Sequence, residues 1–282
     1  MHAVSDLDTA AAFYARAGFT IGARNVHPPA WGTQNHIVQL PGVFVELLAM
    51  ADAGGIVPHT ARHFSFGAFN HDFLARGQGL SMLVLEGQDS AAEVQAFRSA
   101  GIGDFDLFDF TRDAKRPDGS PTKVAFTLAF ARDAAAPDIG FFTSRQHYPE
   151  NFWNPAFQSH ANGVTGVAGI VLVADRPQDH LAFLAAFTGA DVAATPSGIA
   201  AGTPRGEIDV MEPASFTRRF GAMPPPTASG ARLAALRFAV GNLAAARAVL
   251  QRGKIGFSER AQQLVVGADV AFGATLVFEG AP

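Results

Sequence analysis

The sequence contains no cysteine, which excludes disulfide bonds, thiolate metal sites and a cysteine nucleophile. Tyrosine is scarce as well, since the chain has 2 Tyr against 25 Phe. Phenylalanine makes no side-chain hydrogen bonds, so this aromatic surface is expected in hydrophobic cores or in an apolar pocket. The chain also lacks a basic excess, because its net charge is −4. We therefore expect neither nucleic acid nor membrane as a partner.

Long apolar runs are missing too, since none reaches the roughly 18 residues that a membrane-spanning helix needs. The first residues, "MHAVSDLDTA", show no basic region followed by an apolar one, which predicts a cytoplasmic protein without a secretory signal. We find no phosphate-binding glycine loop, no G-x-G-x-x-G after a strand and no G-x-S-x-G. Nucleotide kinases, Rossmann oxidoreductases and common serine hydrolases are therefore disfavoured.

What the chain does have is one unit repeated four times. Each copy combines a short apolar segment, a polar N-cap, an alanine-rich helix, a glycine and further strands. Helices are predicted over residues 6–18, 89–101, 176–189 and 242–253. Suitable N-caps are Asp6 or Asp8, Asp89 or Ser90, and Asn242. Left-handed C-caps are expected at Gly18, Gly101, Gly189 and Gly253.

The strands are clearest in the first unit. Residues 18–25 predict one strand, and residues 35–40 and 43–50 predict a hairpin closed by Pro41-Gly42. The repeated unit is therefore βαβββ, and the fold class is α+β. A turn is predicted at "KRPDGSP" (115–121).

One carboxylate, Glu46, interrupts the apolar strand "VFVELLAM". With a two-residue loop, Leu40 pairs with Val43 and Ile37 lies opposite Glu46. One face of the hairpin then carries Asn35, Ile37, Gln39, Phe44, Glu46 and Leu48, while the other is almost wholly aliphatic. The mixed face is typical of a binding concavity. A carboxylate there requires a metal, a cation, hydrogen-bond donors or a proton.

These residues resemble the glyoxalase / vicinal oxygen chelate superfamily, and most of all its glyoxalase-like domain branch. The resemblance rests on "VSDLDTAAAFYARAGF", on the closing "VELL" and on "HP…WGTQNHIVQLPGVFVELL" (27–48). It implies that pairs of modules form cupped mixed β-sheets with helices outside. The implied organisation is a first domain over 1–145 (modules 1–50 and 79–145), a connector over 146–164 and a second, degenerate domain over 165–282.

The resemblance also implies a single divalent metal, Zn, Ni, Mn or Fe, that binds two neighbouring substrate oxygens. Glu46 would be a metal ligand or the general base, with His147 and either His27 or His63 as further ligands. The family's first metal histidine would fall one residue before Met1, so we expect the chain to start within its first strand. The alternative for Glu46 is a structural carboxylate bonded to Asn35 or to an arginine.

Candidate substrate contacts come from the mixed face, from the Phe-rich segment 62–77 and from the connector. They are Asn35, Gln39, Phe44, Phe66, Phe69, Asn70, Trp153 and Asn154. The structural alternative for segment 62–77 is a core-capping linker. For the connector it is a fixed irregular connection.

The expected function is a lyase or isomerase step on a small oxygenated molecule, with a homodimer as a plausible assembly. One alternative is a metal-free protein that binds and sequesters a small molecule. The other is an extradiol-type dioxygenase with iron bound after residue 165, where Asp209 aligns with Glu46.

Overall fold

The structure is a computed structural model that describes residues 1–115 and 120–280. The turn predicted at 115–121 falls largely outside these residues. Among the described helices, none has both the length and the apolar composition needed to cross a bilayer.

The first half consists of two modules joined by a helix. The first module contains β1 (His2–Ala3), α1 (Leu7–Arg16), β2 (Asn25–Val26), β3 (Thr33–Leu40) and β4 (Val43–Met50). The linking helix is α2 (Phe66–Arg76). The second module contains β5 (Gly79–Leu80), β6 (Met82–Glu86), α3 (Ser90–Ser99), β7 (Phe108–Lys115), β8 (Pro121–Ala131) and β9 (Gly140–Gln146).

The second half repeats this order after the short connecting helix α4 (Pro149–Phe152). Its first module contains β10 (Val164–Val173), α5 (Leu181–Thr188), β11 (Val192–Thr195), β12 (Gly198–Thr203) and β13 (Gly206–Met211). After the linking helix α6 (Pro213–Phe220) come β14 (Arg232–Val240), α7 (Leu243–Arg252), β15 (Ser258–Arg260), β16 (Gln263–Val266) and β17 (Thr275–Gly280).

Strands pair in the same way within the modules of both halves, although the number of sheets differs. The first half has a five-stranded sheet, β2-β3-β4-β1-β5, and a four-stranded sheet, β6-β9-β8-β7. The second half has an eight-stranded sheet, β11-β12-β13-β10-β14-β17-β16-β15. The first strand of a module pairs in parallel with its last strand, as β1 does with β4 and β10 with β13. The predicted α+β fold of four βαβββ modules in cupped mixed sheets is therefore confirmed.

The helix starts follow the capping signals in the sequence. The side chains of Asp6, Asp89 and Asn242 each accept a hydrogen bond from a backbone N–H in the first turn of α1, α3 and α7. Such a bond satisfies a donor that the helix itself leaves unpaired. The sequence therefore determines where these three helices begin.

The strand predicted over residues 18–25 is wrong, because only its last residue, Asn25, belongs to β2 (Asn25–Val26). Thr20 directs its N–H to His160 Nδ1 at 3.0 Å and its hydroxyl to the Ser159 carbonyl at 2.6 Å. Part of this segment is thus bonded to the connector instead of extending a sheet. Helices α2 and α6 were not predicted.

The β3–β4 register is the one predicted, with Leu40 opposite Val43 and Ile37 opposite Glu46. The aliphatic face packs beneath α1, where Val38 and Leu47 share a core cluster with Phe13. The opposite face turns into the concave side of the sheet. The two-residue Pro41-Gly42 turn therefore decides which side chains reach that concavity.

Gly253 departs from the predicted left-handed C-cap, since its φ is −70° and the next residue, Lys254, has a φ of 53°. A Cβ at Gly253 would lie 2.1 Å from the carbonyl oxygen of Arg16 at the end of α1. Glycine is needed here because two helix ends meet backbone to backbone.

We expect Gly253→Ala to lower the free energy of unfolding by about 1–3 kcal/mol, because the backbones of α1 and α7 must separate. Gly256→Ala is the matched control, since a Cβ there meets nothing closer than 3.9 Å. Urea unfolding followed by circular dichroism measures both. Equal stability of the two variants would contradict the close-packing explanation.

Candidate functional site

A cavity of about 120 Å³ lies on the concave side of the first half, between the inner faces of its two sheets. An engineered cavity of about 150 Å³ is enough to hold benzene, so the site suits a small ligand. The lining residues are Met1, Asn25, His27, Trp31, Asn35, Ile37, Phe44, Glu46, Phe66, Val84, Phe110, Arg112, Val124, Phe126, Leu128, Phe142, Ser144 and Phe152.

Glu46 is the carboxylate of this cavity and is only 6% exposed. Asn35 Nδ2 donates a hydrogen bond to Glu46 Oε1 at 2.6 Å. Within the described chain, the other carboxylate oxygen, Oε2, has no hydrogen-bond partner, and no arginine or lysine lies within 4.0 Å of either oxygen. A buried carboxylate with one donor is only partly compensated for the loss of water.

Asn35 organises the polar groups around Glu46. Its Oδ1 accepts a hydrogen bond from Asn25 Nδ2 at 3.2 Å, and its Nδ2 also lies 3.0 Å from His27 Nε2. Because an amide nitrogen is a donor only, His27 Nε2 acts as the acceptor and Nδ1–H donates to Thr33 Oγ1 at 2.8 Å. His27 is therefore held as the neutral Nδ1–H tautomer, with Nε2 3.9 Å from Glu46 Oε1.

Arg112 stands at the mouth of the cavity. Its Nη2 donates to Asn25 Oδ1 at 3.1 Å, across 87 residues of sequence. Asn25 belongs to β2 and Arg112 to β7, which are the edge strands of the two sheets. This hydrogen bond therefore bridges the open side of the cup. Burial lowers the pKa of Arg112, but the pKa of a guanidinium is so high that the group stays charged.

Aromatic rings form most of the cavity wall. The Trp31 ring lies 4.8 Å from Phe110 and 5.1 Å from Phe66, measured between centroids. Across the cavity, Phe44 lies 5.1 Å from Phe152. Such a wall favours an apolar or aromatic ligand body, because stacked and edge-on ring contacts add to the burial of apolar surface. Phe44 and Phe66 were predicted; Trp31, Phe110 and Phe152 were not.

Gln39, Trp153 and Asn154 lie outside the cavity lining. Gln39 Nε2 donates to the Phe152 carbonyl at 2.8 Å, and its Oε1 accepts from the Asn154 N–H at 3.0 Å. His160 Nε2 donates to the backbone carbonyl of Gln39 at 2.8 Å. These contacts fasten the connector to β3 and so keep Phe152 at the cavity.

The segment 62–77 contributes Phe66 to the lining but not Phe69 or Asn70. Asn70 is fully buried, where it donates to the Phe66 carbonyl at 3.0 Å and accepts from Ser81 Oγ at 3.1 Å. Phe69 packs against the Phe64 ring with a centroid distance of 5.5 Å. Both side chains therefore stabilise the packing of α2 and do not line the cavity.

The predicted metal ligands are not brought together. His147 Nε2 lies 2.7 Å from Thr127 Oγ1, and neither His147 nor His63 lines the cavity. Only Glu46 and His27 meet, and Asn35 already donates to His27 Nε2. No group of three His, Cys, Asp or Glu side chains suited to a metal exists among the described residues. Because protein metal sites need at least three such ligands in defined geometry, this donor set does not fit the expected ion.

The equivalent position in the second half is Asp209. Ala3 pairs with Leu48 and Val173 with Met211, which aligns Glu46 with Asp209 in the two modules. Unlike Glu46, Asp209 is neutralised directly. Arg237 Nη1 donates to Asp209 Oδ2 at 2.7 Å.

The other carboxylates on this inner face share the same arginine. Arg237 also pairs with Glu207 at 3.0 Å and with Glu279 at 2.8 Å. Helix α6 packs Phe216 and Phe220 against the same inner face. The arrangement gives no support to an iron site at Asp209, because its oxygen is committed to arginine.

The comparisons with known proteins agree with this architecture. The chain belongs to the glyoxalase-like domain family, whose model matches residues 1–188. No curated protein matches the chain in sequence.

Two solved structures are similar over nearly the whole chain. The first is a hypothetical protein from Staphylococcus aureus with 10% identity and a TM-score of 0.65, and the match covers 99% of this chain and 97% of that one. The second is a mutant of 4-hydroxymandelate synthase from Streptomyces coelicolor with 12% identity and a TM-score of 0.59, covering 99% and 90%. At this identity the likeness shows the fold alone.

The charges around His27 make its titration a test of the site. Burial lowers the pKa of His27, while Glu46 opposes that shift and Arg112 adds to it. We expect Glu46→Gln to lower this pKa further and Arg112→Gln to raise it, as measured by NMR titration of the imidazole nitrogens. Glu259→Gln, which breaks the distant ion pair with Arg247, is the control and should leave it unchanged.

The same shift has a consequence for stability. The unfolded histidine, with its pKa near 6.5, binds a proton more readily than the folded one. His27 therefore makes the fold less stable as the pH falls below about 6.5.

In the NMR titration, a rise of the His27 pKa in Glu46→Gln would contradict the proposed proximity of the two groups.

Proposed function

We propose that the first half, residues 1–145 with the connector 146–164, binds a small, oxygenated and largely apolar molecule. Glu46 accepts a hydrogen bond or a proton from it as the general base of a lyase or isomerase reaction. The second half, 165–282, supports this unit without a site of its own. The observation that carries the proposal is the buried carboxylate of Glu46, whose Oε2 has no partner within the described chain.

The geometry around Glu46 suits an acceptor. Asn35 holds Oε1, so the orientation of the carboxylate is set before a ligand enters. Neutral His27, whose Nε2 is turned towards Asn35, supplies no cation to the carboxylate. A ligand O–H or acidic C–H group that reaches Oε2 would provide the missing donor, and the surrounding rings would exclude water from it.

The residues of the cavity favour a reaction that Glu46 supports without a metal. A metal would supply polarisation of neighbouring oxygens, but Glu46 and His27 are the only suitable ligands that meet in the described cavity. Membership of the glyoxalase-like family supports a small-molecule site without specifying the reaction.

Binding can be tested with catechol and 1,2-dimethoxybenzene, which share an aromatic ring with two neighbouring oxygens but differ in that only catechol has O–H donors. We expect catechol to bind more tightly than the ether. Glu46→Gln should weaken catechol binding by about 10–100-fold, because a hydrogen bond to a charged group contributes about 1.5–3 kcal/mol. Calorimetric titration measures both affinities. Glu259→Gln is the control because its ion pair with Arg247 is far from the cavity.

Proton transfer distinguishes an enzyme from a sequestering protein. Phenylacetone is a small aromatic ketone whose benzylic protons exchange with D2O, and ¹H NMR follows their loss. A general base at Glu46 predicts faster exchange with the wild-type protein than with Glu46→Gln. Binding without any acceleration would favour sequestration, while equal binding of catechol by wild type and Glu46→Gln would refute the proposed site.

A further inference from the structure

Arg112 brings a guanidinium to the cavity. Among the described residues, no carboxylate lies within 4.0 Å of its guanidinium, and its one hydrogen bond goes to the neutral Asn25. A guanidinium carries five N–H donors. As far as the described residues go, most of its hydrogen-bonding capacity therefore remains for a ligand.

The position of Arg112 on β7 directs it towards the same cavity as Glu46. Side chains alternate along a strand, so Arg112 shares the inner face with Phe110 and Phe108. It lines the cavity together with Phe110 and with Val124, its partner on β8. The group lies at the mouth, whereas Glu46 lies in the buried interior.

Two asparagines separate the opposite charges. Arg112 contacts Asn25, Asn25 donates to Asn35, and Asn35 donates to Glu46. Arg112 and Glu46 therefore do not neutralise each other by direct contact. The cavity keeps a cationic end at its mouth and an anionic end inside, with aromatic walls between them.

We infer that the ligand carries a carboxylate that binds Arg112 at the mouth, and a donor group at its other end that reaches Glu46. The ligand class is a small aromatic acid with a hydroxyl group remote from the carboxylate. The planar fork of arginine matches a carboxylate with two parallel N–H···O bonds. Glu46 would repel the carboxylate, so the two charges also set the direction in which the ligand enters. This inference rests on the proposed function of the same cavity.

A purely structural role for Arg112 is the competing explanation, because its bond to Asn25 bridges the edges of the two sheets. That role makes no distinction between a charged and a neutral ligand. The test therefore uses 4-hydroxybenzoate and 4-hydroxybenzamide, which have the same hydroxyl and nearly the same shape but differ in charge.

Calorimetric titration should show that the wild-type protein binds 4-hydroxybenzoate at least about tenfold more tightly than 4-hydroxybenzamide, as a charge-assisted bidentate contact predicts. Arg112→Gln should remove this preference and leave the amide affinity unchanged, and Arg112→Lys should retain part of it. Arg247→Gln, an arginine paired with Glu259 in the second half, should behave as wild type.

Three results would overturn the inference, and they are distinguishable. Equal affinity for acid and amide in the wild type, with Glu46-dependent amide binding, would remove the role of Arg112 and keep the proposed function. Loss of acid and amide binding together in Arg112→Gln would show a structural bridge. Failure of both probes and of catechol to bind the wild type would overturn the proposed function itself.

Discussion

The hydrogen bond from Asn35 to Glu46 is the contact on which the candidate site depends. It joins two strands across a two-residue turn, and it exists only because Ile37 lies opposite Glu46. A slip of one residue would turn Glu46 towards the core beneath α1 and bring Val45 into the cavity. The turn, the register and the buried carboxylate therefore form one constraint.

The two halves show what happens to a carboxylate at this position in different surroundings. In the second half, Arg237 neutralises Asp209 directly, and α6 packs phenylalanines on the same face. In the first half, an asparagine supplies a single neutral donor to Glu46. A buried ion pair with its hydrogen bonds satisfied has little to offer a ligand, whereas a partly satisfied carboxylate gains from a donor that enters. The same fold thus carries one carboxylate that is paired with arginine and one that accepts a hydrogen bond from a neutral asparagine.

The cavity also depends on contacts between parts that are distant in sequence. Gln39 and His160 hold the connector so that Phe152 reaches the wall. Arg112 and Asn25 connect the edges of the two sheets at the mouth. The shape and charge of this cavity are therefore properties of the assembled cup, with apolar rings along its wall, Arg112 at its mouth and Glu46 inside.

Local patterns in the sequence determined the four modules, the N-caps at Asp6, Asp89 and Asn242, and the face on which Glu46 lies. Capping and strand alternation act over a few residues, so they can be read directly. Tertiary structure decided the rest. His147 bonds to Thr127, Asn70 of α2 is buried outside the cavity lining, and Arg112 and Asn25 meet at the cavity across 87 residues of sequence. No local pattern encodes such meetings, because they depend on how two sheets curve towards each other.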